Sequence, residues 1–151
     1  MAKQAEQRSQ EHNWDELVEE HAQVRDISQQ IHNTLALRQS GPQNVTEQLG
    51  ELKEHVQRHF AHEEAGGYFA DVIAEAPRLT ATVDALLQQH SQFLRIIDRM
   101  RQYSQHGSNS NEWWNNMTNQ FDDFACQFLE HELGEVRLVQ EAFCRDIGTG
   151  E

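Results

Sequence analysis

Six residues carry the chemistry written into this chain: His21, His59, Glu63, His90, His131 and Glu135. Each histidine falls on the apolar stripe of a different predicted helix. Two are followed four residues later by a glutamate, as His59-x-x-x-Glu63 and His131-x-x-x-Glu135. Side chains at i and i+4 of a helix point from one face, so each pair can address a single centre. A lone core histidine is satisfied by one hydrogen-bond acceptor. A buried carboxylate is harder to accommodate, because without a partner it is strongly destabilising or stays protonated. No lysine or arginine sits on these stripes to pair with Glu63 or Glu135. Metal ions would meet the need. Imidazoles and carboxylates without a thiolate suit iron, manganese or zinc. Two carboxylates from opposite helices can bridge two ions, which then share out the imidazoles and keep positions for water or a small ligand. Iron is the expected metal, with zinc or manganese as substitutes.

Bringing the six residues together requires four helices facing one core, and the punctuation of the chain supplies them. A first helix is read from Asn13, with Glu16 at capping-box spacing. Its stripe is Trp14, Leu17, Val18, His21, Val24, Ser28, Ile31 and Leu35, and Ser40-Gly41-Pro42 stops it. The second starts at Asn44, with Glu47 three residues on, and ends at Ala76-Pro77. Its stripe is Leu49, Leu52, Val56, His59, Phe60 and Glu63. The third is striped Leu79, Val83, Leu86, Leu87, His90, Phe93, Leu94 and Ile97. After a polar turn from His106 to Asn111, with Asn109 and Glu112 at capping-box spacing, comes the most regular stripe: Met117, Phe121, Phe124, Phe128, His131, Glu135 and Leu138. The expected fold is all-α, an antiparallel up-down-up-down four-helix bundle over residues 13–146. A flexible polar tail is expected at 1–12 and a short one at 147–151. At ~1.5 Å per residue, the histidines' distances from their turns differ by roughly one helical turn at most, so the four can meet at one height.

Composition narrows the function classes. The formal net charge of −13 repels phosphate backbones, so nucleic acid is not an expected partner. No apolar run reaches the ~18 residues of a membrane span. The first twelve residues do not read as a secretion signal, so a cytoplasmic protein is expected. Cys126 and Cys144 lie on one predicted helix, roughly 27 Å apart along its axis, which is too far for a disulfide. Both are read as reduced thiols, with Cys126 a small buried side chain. His12, His32 and His106 read as surface residues. His62 reads as a solvated flank position, and His55-x-x-x-His59 lacks the glutamate of the zinc-peptidase motif. Gly66-Gly67 is read as a point of close packing within the second helix. Tyr68 and Tyr103 read as packing residues, and Trp113-Trp114 as the cover of one bundle end.

In order along the chain, the motifs are His21, then His59-Phe60-Ala61-His62-Glu63-Glu64, then His90, then His131-Glu132-Leu133-Gly134-Glu135. This set resembles the hemerythrin-like, or HHE cation-binding, domains over about residues 13 to 145. The resemblance implies a four-helix bundle holding an oxo- or hydroxo-bridged pair of iron ions. Glu63 and Glu135 would be the bridges, and His21, His59, His90 and His131 the terminal ligands. Oxygen-carrying members have two histidines four residues apart on the third helix, and here Leu86 stands where the first would be. They also have an aspartate at +5 of the fourth-helix motif, where this chain has Glu135 at +4. The chain therefore looks like the divergent branch with one histidine per helix. Leu86 would leave a position open on one iron, unless Glu64, His62 or water filled it. The expected function is a non-haem di-iron protein reacting with O2, peroxide or NO, as a redox or oxygen sensor or a detoxifying oxidase or peroxidase. Alternatives are an iron-responsive binding module without turnover, a reversible oxygen carrier or an iron store.

Overall fold

The computed structural model describes the backbone of residues 2–144 and the side chains of residues 15–143. The described residues form helices and no strand. These are α1 (Ala2–Leu37), α2 (Pro42–Ala65), α3 (Tyr68–Glu75), α4 (Thr80–Gln105) and α5 (Asn111–Val139). A single 3-10 turn, Pro77–Leu79, leads into α4, and a π-helical turn, Gln140–Cys144, follows α5. Helix α1 packs on α2, α2 on α4, and α4 on α5, which returns to pack on α1. The long helices thus form a helical bundle around one core.

The apolar stripes account for most of this packing. Leu49, Leu52, Val56, His59, Phe60 and Glu63 of α2 are all buried. So are Met117, Phe121, Phe124, Phe128, His131, Glu135 and Leu138 of α5. Each fully buried large apolar side chain contributes on the order of 1.5–3 kcal/mol. On α1 the stripe is rotated slightly from its sequence reading. Ile27 is buried, Ser28 is only half-buried, and Val18 is 47% exposed. The α1 backbone is helical from Ala2 rather than Asn13, so it runs through the segment expected to be a tail. The side chain of Trp14, and residues 147–151, lie outside the described residues.

Two helix starts differ from the capping boxes. Helix α2 begins at Pro42 with Gly41 as N-cap and no side-chain cap. Proline at this position gives up no helical hydrogen bond and brings a φ already suited to the helix. Helix α5 is capped by Ser110, whose Oγ accepts from the Trp113 backbone N–H at 3.1 Å. Asn109 instead accepts from Trp114 Nε1 at 2.8 Å. Trp113 and Trp114 are both buried and close that end of the bundle.

The second predicted helix is interrupted. Helix α2 ends at Ala65, and Gly67 adopts a left-handed conformation at φ +76° that residues with a Cβ avoid. Nothing stands within 4 Å of a Cβ built there. Gly67 therefore makes a turn, while Gly66 packs closely on the end of α2, where a Cβ would stand 2.6 Å from the His62 carbonyl oxygen; the expected continuation of the helix is what is corrected. The turn releases α3, which buries Phe69 and Val72.

Buried apolar residues form two clusters on either side of the polar layer. One runs from Val24, Ile31 and Leu35 to Phe60, Phe93, Phe124 and Phe128. The other joins Phe69 and Val72 of α3 to Leu79, Val83, Leu86 and Leu138. Between them lie the histidines and glutamates.

Candidate metal centre

The six predicted residues meet. His21 comes from α1, His59 and Glu63 from α2, His90 from α4, and His131 and Glu135 from α5. All but His21 are at most 3% exposed, and the His21 side chain is 16% exposed. Each histidine turns its Nε2 towards the carboxylates. His59 Nε2 lies 2.5 Å from Glu63 Oε1, and His131 Nε2 lies 2.6 Å from Glu135 Oε1. His21 Nε2 stands 3.6 Å from Glu63 Oε1 and 3.5 Å from Glu135 Oε2. His90 Nε2 stands 3.1 Å from Glu63 Oε2 and 3.6 Å from Glu135 Oε1.

These donors divide into two groups of four with both carboxylates in common. One is His21, His59, Glu63 and Glu135, and the other is His90, His131, Glu63 and Glu135. Within each group the donor atoms lie within 4.8 Å of one another. Ligands about 2.0–2.2 Å from one ion stand at most about 4.4 Å apart, so the pockets need to contract by only a few tenths of an ångström.

The hydrogen-bonding pattern gives an independent test of fit. His21 Nε2, His90 Nε2, His131 Nε2, both oxygens of Glu63 and Glu135 Oε1 are buried without a hydrogen-bond partner. Their nitrogen–oxygen separations are short, yet none has hydrogen-bond directionality. Lone pairs aimed at shared points between atoms, rather than at each other, are what a bound cation requires. The donor set of imidazole and carboxylate fits iron, manganese and zinc.

Residues outside the six orient the imidazoles. His59 Nδ1 is 2.8 Å from Glu20 Oε2, His90 Nδ1 is 3.1 Å from Glu64 Oε1, and His131 Nδ1 is 2.7 Å from Gln89 Oε1. An acceptor on Nδ1 fixes the tautomer that leaves Nε2 free for a metal and raises its basicity. Glu20 and Gln89 escaped the sequence reading. The available signal was that each directly precedes a stripe histidine. Glu64 and His62, considered as fillers for the position opened by Leu86, belong to neither donor group. Glu64 holds His90, and His62 contacts Glu20. Leu86 is buried in the apolar cluster beside Gly134, where a Cβ would stand 3.3 Å from its Cδ2.

Phe60 stacks on His90 with ring centroids 3.8 Å apart, and Phe93 meets His131 edge-on at 5.2 Å. Beside His21 and Glu135 lies a recess of about 40 Å³. It is lined by Leu17, Val18, His21, Tyr68, Glu135 and Val136. Tyr68, read as a packing residue, therefore lines a cavity that touches the centre. Tyr103 instead accepts from Asn116 in the half of the bundle that Trp113 and Trp114 close. Cys126 is exposed on α5, which corrects the expectation of a buried thiol, and the Cys144 side chain lies outside the described residues.

Burial opposes charge on His21 and His90, but Glu135 and Glu63 outweigh it. They hold His21 at about 10 and His90 at about 9. His59 is raised too, with Glu63 overcoming its burial. Burial would lift Glu63 and Glu135, yet the surrounding histidines keep both below the ordinary carboxylate range. Without metal, imidazolium protons thus neutralise the buried carboxylates, and an incoming cation must displace them. Burial, together with the charges of Glu135 and Glu63, pushes the Tyr68 phenol up, so it remains protonated.

Fold and site together describe a helical metal-binding bundle. Comparison with known families matches residues 12–141 to the Hemerythrin HHE cation binding domain, and the chain belongs to that family. It is a metal-cation-binding domain. Searches of curated proteins and of solved structures gave no match. Among the described residues no helix is long and apolar enough to cross a membrane.

Proposed function

We propose that this chain holds two iron ions and reacts with a small oxygen or nitrogen species, namely O2, peroxide or NO, as a redox sensor or a detoxifying oxidase or peroxidase. One observation carries the reading: two four-residue donor groups share both of their carboxylates. In this reading α1, α2, α4 and α5 run up, down, up and down around the centre. His21 and His59 would hold one ion and His90 and His131 the other, with Glu63 and Glu135 offered to both. Bound iron would supply one-electron redox chemistry and open coordination positions.

The protein's own part is positioning and exclusion. Glu20, Glu64 and Gln89 fix three imidazoles, Phe60 covers one face of His90, and His131 borders a groove of about 360 Å³ shared with Gln89, Phe93 and Glu130. Access through the recess at His21 and Glu135 favours small molecules. Its volume of about 40 Å³ is roughly three times the ~10–15 Å³ that one water needs. Leu17, Val18 and Val136 give it apolar walls, and Glu16 and Glu20 line the neighbouring pocket beside Leu17 and Tyr68. That environment favours a neutral molecule of two or three heavy atoms over an anion. Tyr68, kept protonated, adds a neutral wall to the recess.

The test is anaerobic loading with ferrous iron, followed by iron analysis and absorption spectra after dithionite, air, hydrogen peroxide and NO. The reading predicts near-ultraviolet charge-transfer bands that bleach on reduction and return on oxidation. Loaded protein whose spectrum ignores all three ligands would refute it.

A further inference from the structure

The three Nδ1 acceptors follow a cyclic rule. Glu20 on α1 serves His59 on α2, Glu64 on α2 serves His90 on α4, and Gln89 on α4 serves His131 on α5. Each acceptor sits beside one of the six residues on its own helix and reaches across to the next long helix. The ring would close with an acceptor on α5 serving His21 on α1, and α5 does pack on α1.

Glu132 stands at that place. It follows His131 directly, as Glu64 follows Glu63. It also lies one turn before Glu135 on α5, and Glu135 already faces His21 at 3.5 Å. Glu132 is 8% exposed, and its Oε1 is buried without a hydrogen-bond partner. A buried carboxylate oxygen without a donor is costly and calls for a physical reason. His21 is the one histidine of the four with no Nδ1 acceptor among these pairs, and it is the most exposed.

We infer that Glu132 is the fourth positioning residue of the centre, closing the ring by accepting the His21 Nδ1 proton when the ion held by His21 and His59 is bound. The inference rests on the reading that the six residues hold two ions. His21 then presents Nε2 to the metal in the same fixed tautomer as the other three. The two ions become alike in having every imidazole held from behind.

The experiment uses the full chain loaded with zinc, which is redox-silent, and compares wild type with Glu132→Leu and Glu132→Gln. Stoichiometry and affinity are read by chelator competition, and the four imidazole Nδ1–H groups by 15N-resolved proton NMR. In wild type, two zinc ions and four slowly exchanging Nδ1–H signals are expected. In Glu132→Leu the His21 signal is lost while those of His59, His90 and His131 persist, and one ion weakens about 10–100-fold. Glu132→Gln, which keeps an acceptor oxygen, restores the His21 signal and most of the affinity. Two ions in every variant, with the His21 signal and both affinities unchanged in Glu132→Leu, would overturn the inference and leave the ligand assignment standing. Uniform loss of all four signals, or equal weakening of both ions, would also overturn it, since that marks a merely structural role. Fewer than two ions in wild type would sink the ligand assignment and the inference with it.

Discussion

Replacing Glu63 by glutamine should remove both ions, whereas replacing His131 by glutamine should remove one. The contrast follows from Glu63 standing in both donor groups while His131 stands in one. Each ion that binds only the folded chain stabilises it by RT ln(1 + [L]/Kd), about 2.7 kcal/mol when free metal is ~100 times Kd. Two ions then contribute ~5.4 kcal/mol. For a domain of this size, ~1 kcal/mol moves Tm by about 2–4 °C, so metal should raise wild-type Tm by ~11–22 °C. With one ion lost, His131→Gln should keep about half of that rise, ~5–11 °C. Glu63→Gln should keep almost none. The assay is differential scanning calorimetry of each variant with and without metal. Using the difference cancels whatever each substitution does to the metal-free fold. Equal residual shifts in the two variants would refute the argument that Glu63 is shared.

Other consequences can be checked separately. Glu20→Ala and Glu64→Ala should each weaken one ion about 10–100-fold in chelator competition, by freeing the tautomers of His59 and His90 respectively; unchanged affinity would count against the orienting role. Apparent metal affinity should rise with pH between about 6 and 8, because His21, held at about 10, and His90, held at about 9, must give up protons to the ion, a release that indicator dye would detect. The metal-free chain should show the opposite trend. Both histidines are raised above their ordinary value, so their stabilising contribution is complete below pH ~6.5 and fades as pH climbs through about 9 to 10, seen as a falling Tm. Leu17→Trp should fill the recess and slow the reaction with peroxide in stopped-flow traces without changing iron content; an unchanged rate would mean the small molecule arrives elsewhere. Gly67→Ala should cost about 1–2 kcal/mol in urea denaturation, from backbone strain alone, because no neighbour stands near the added Cβ.

The site was more legible in the sequence than the details of the elements around it. His21, His59, Glu63, His90, His131 and Glu135 could be found because helical period places them on buried faces. A carboxylate there, with no lysine or arginine on the stripes to neutralise it, calls for a bound cation. Helix α3 was missed for a local reason. Gly66-Gly67 reads as close packing within a helix, which Gly66 does show, and only the backbone at φ +76° reveals the left-handed turn at Gly67. Ser110 was passed over as a cap because Asn109 had the glutamate at the right spacing, while the chain begins its helix one residue later. Glu20 and Gln89 were hidden by their position on the flanks of the stripes, where a polar side chain usually meets water. Their role depends on reaching the neighbouring helix, and that is a property of packing rather than of any one helix's pattern.

The proposed function stands on two ions shared between Glu63 and Glu135. The most direct measurement is anomalous-scattering crystallography of the iron-loaded chain at the iron edge. Two peaks are expected roughly 3.5–4 Å apart, each touched by an oxygen of both Glu63 and Glu135, with His21 and His59 on one and His90 and His131 on the other. A single peak, or two peaks that each take a different carboxylate, would contradict it.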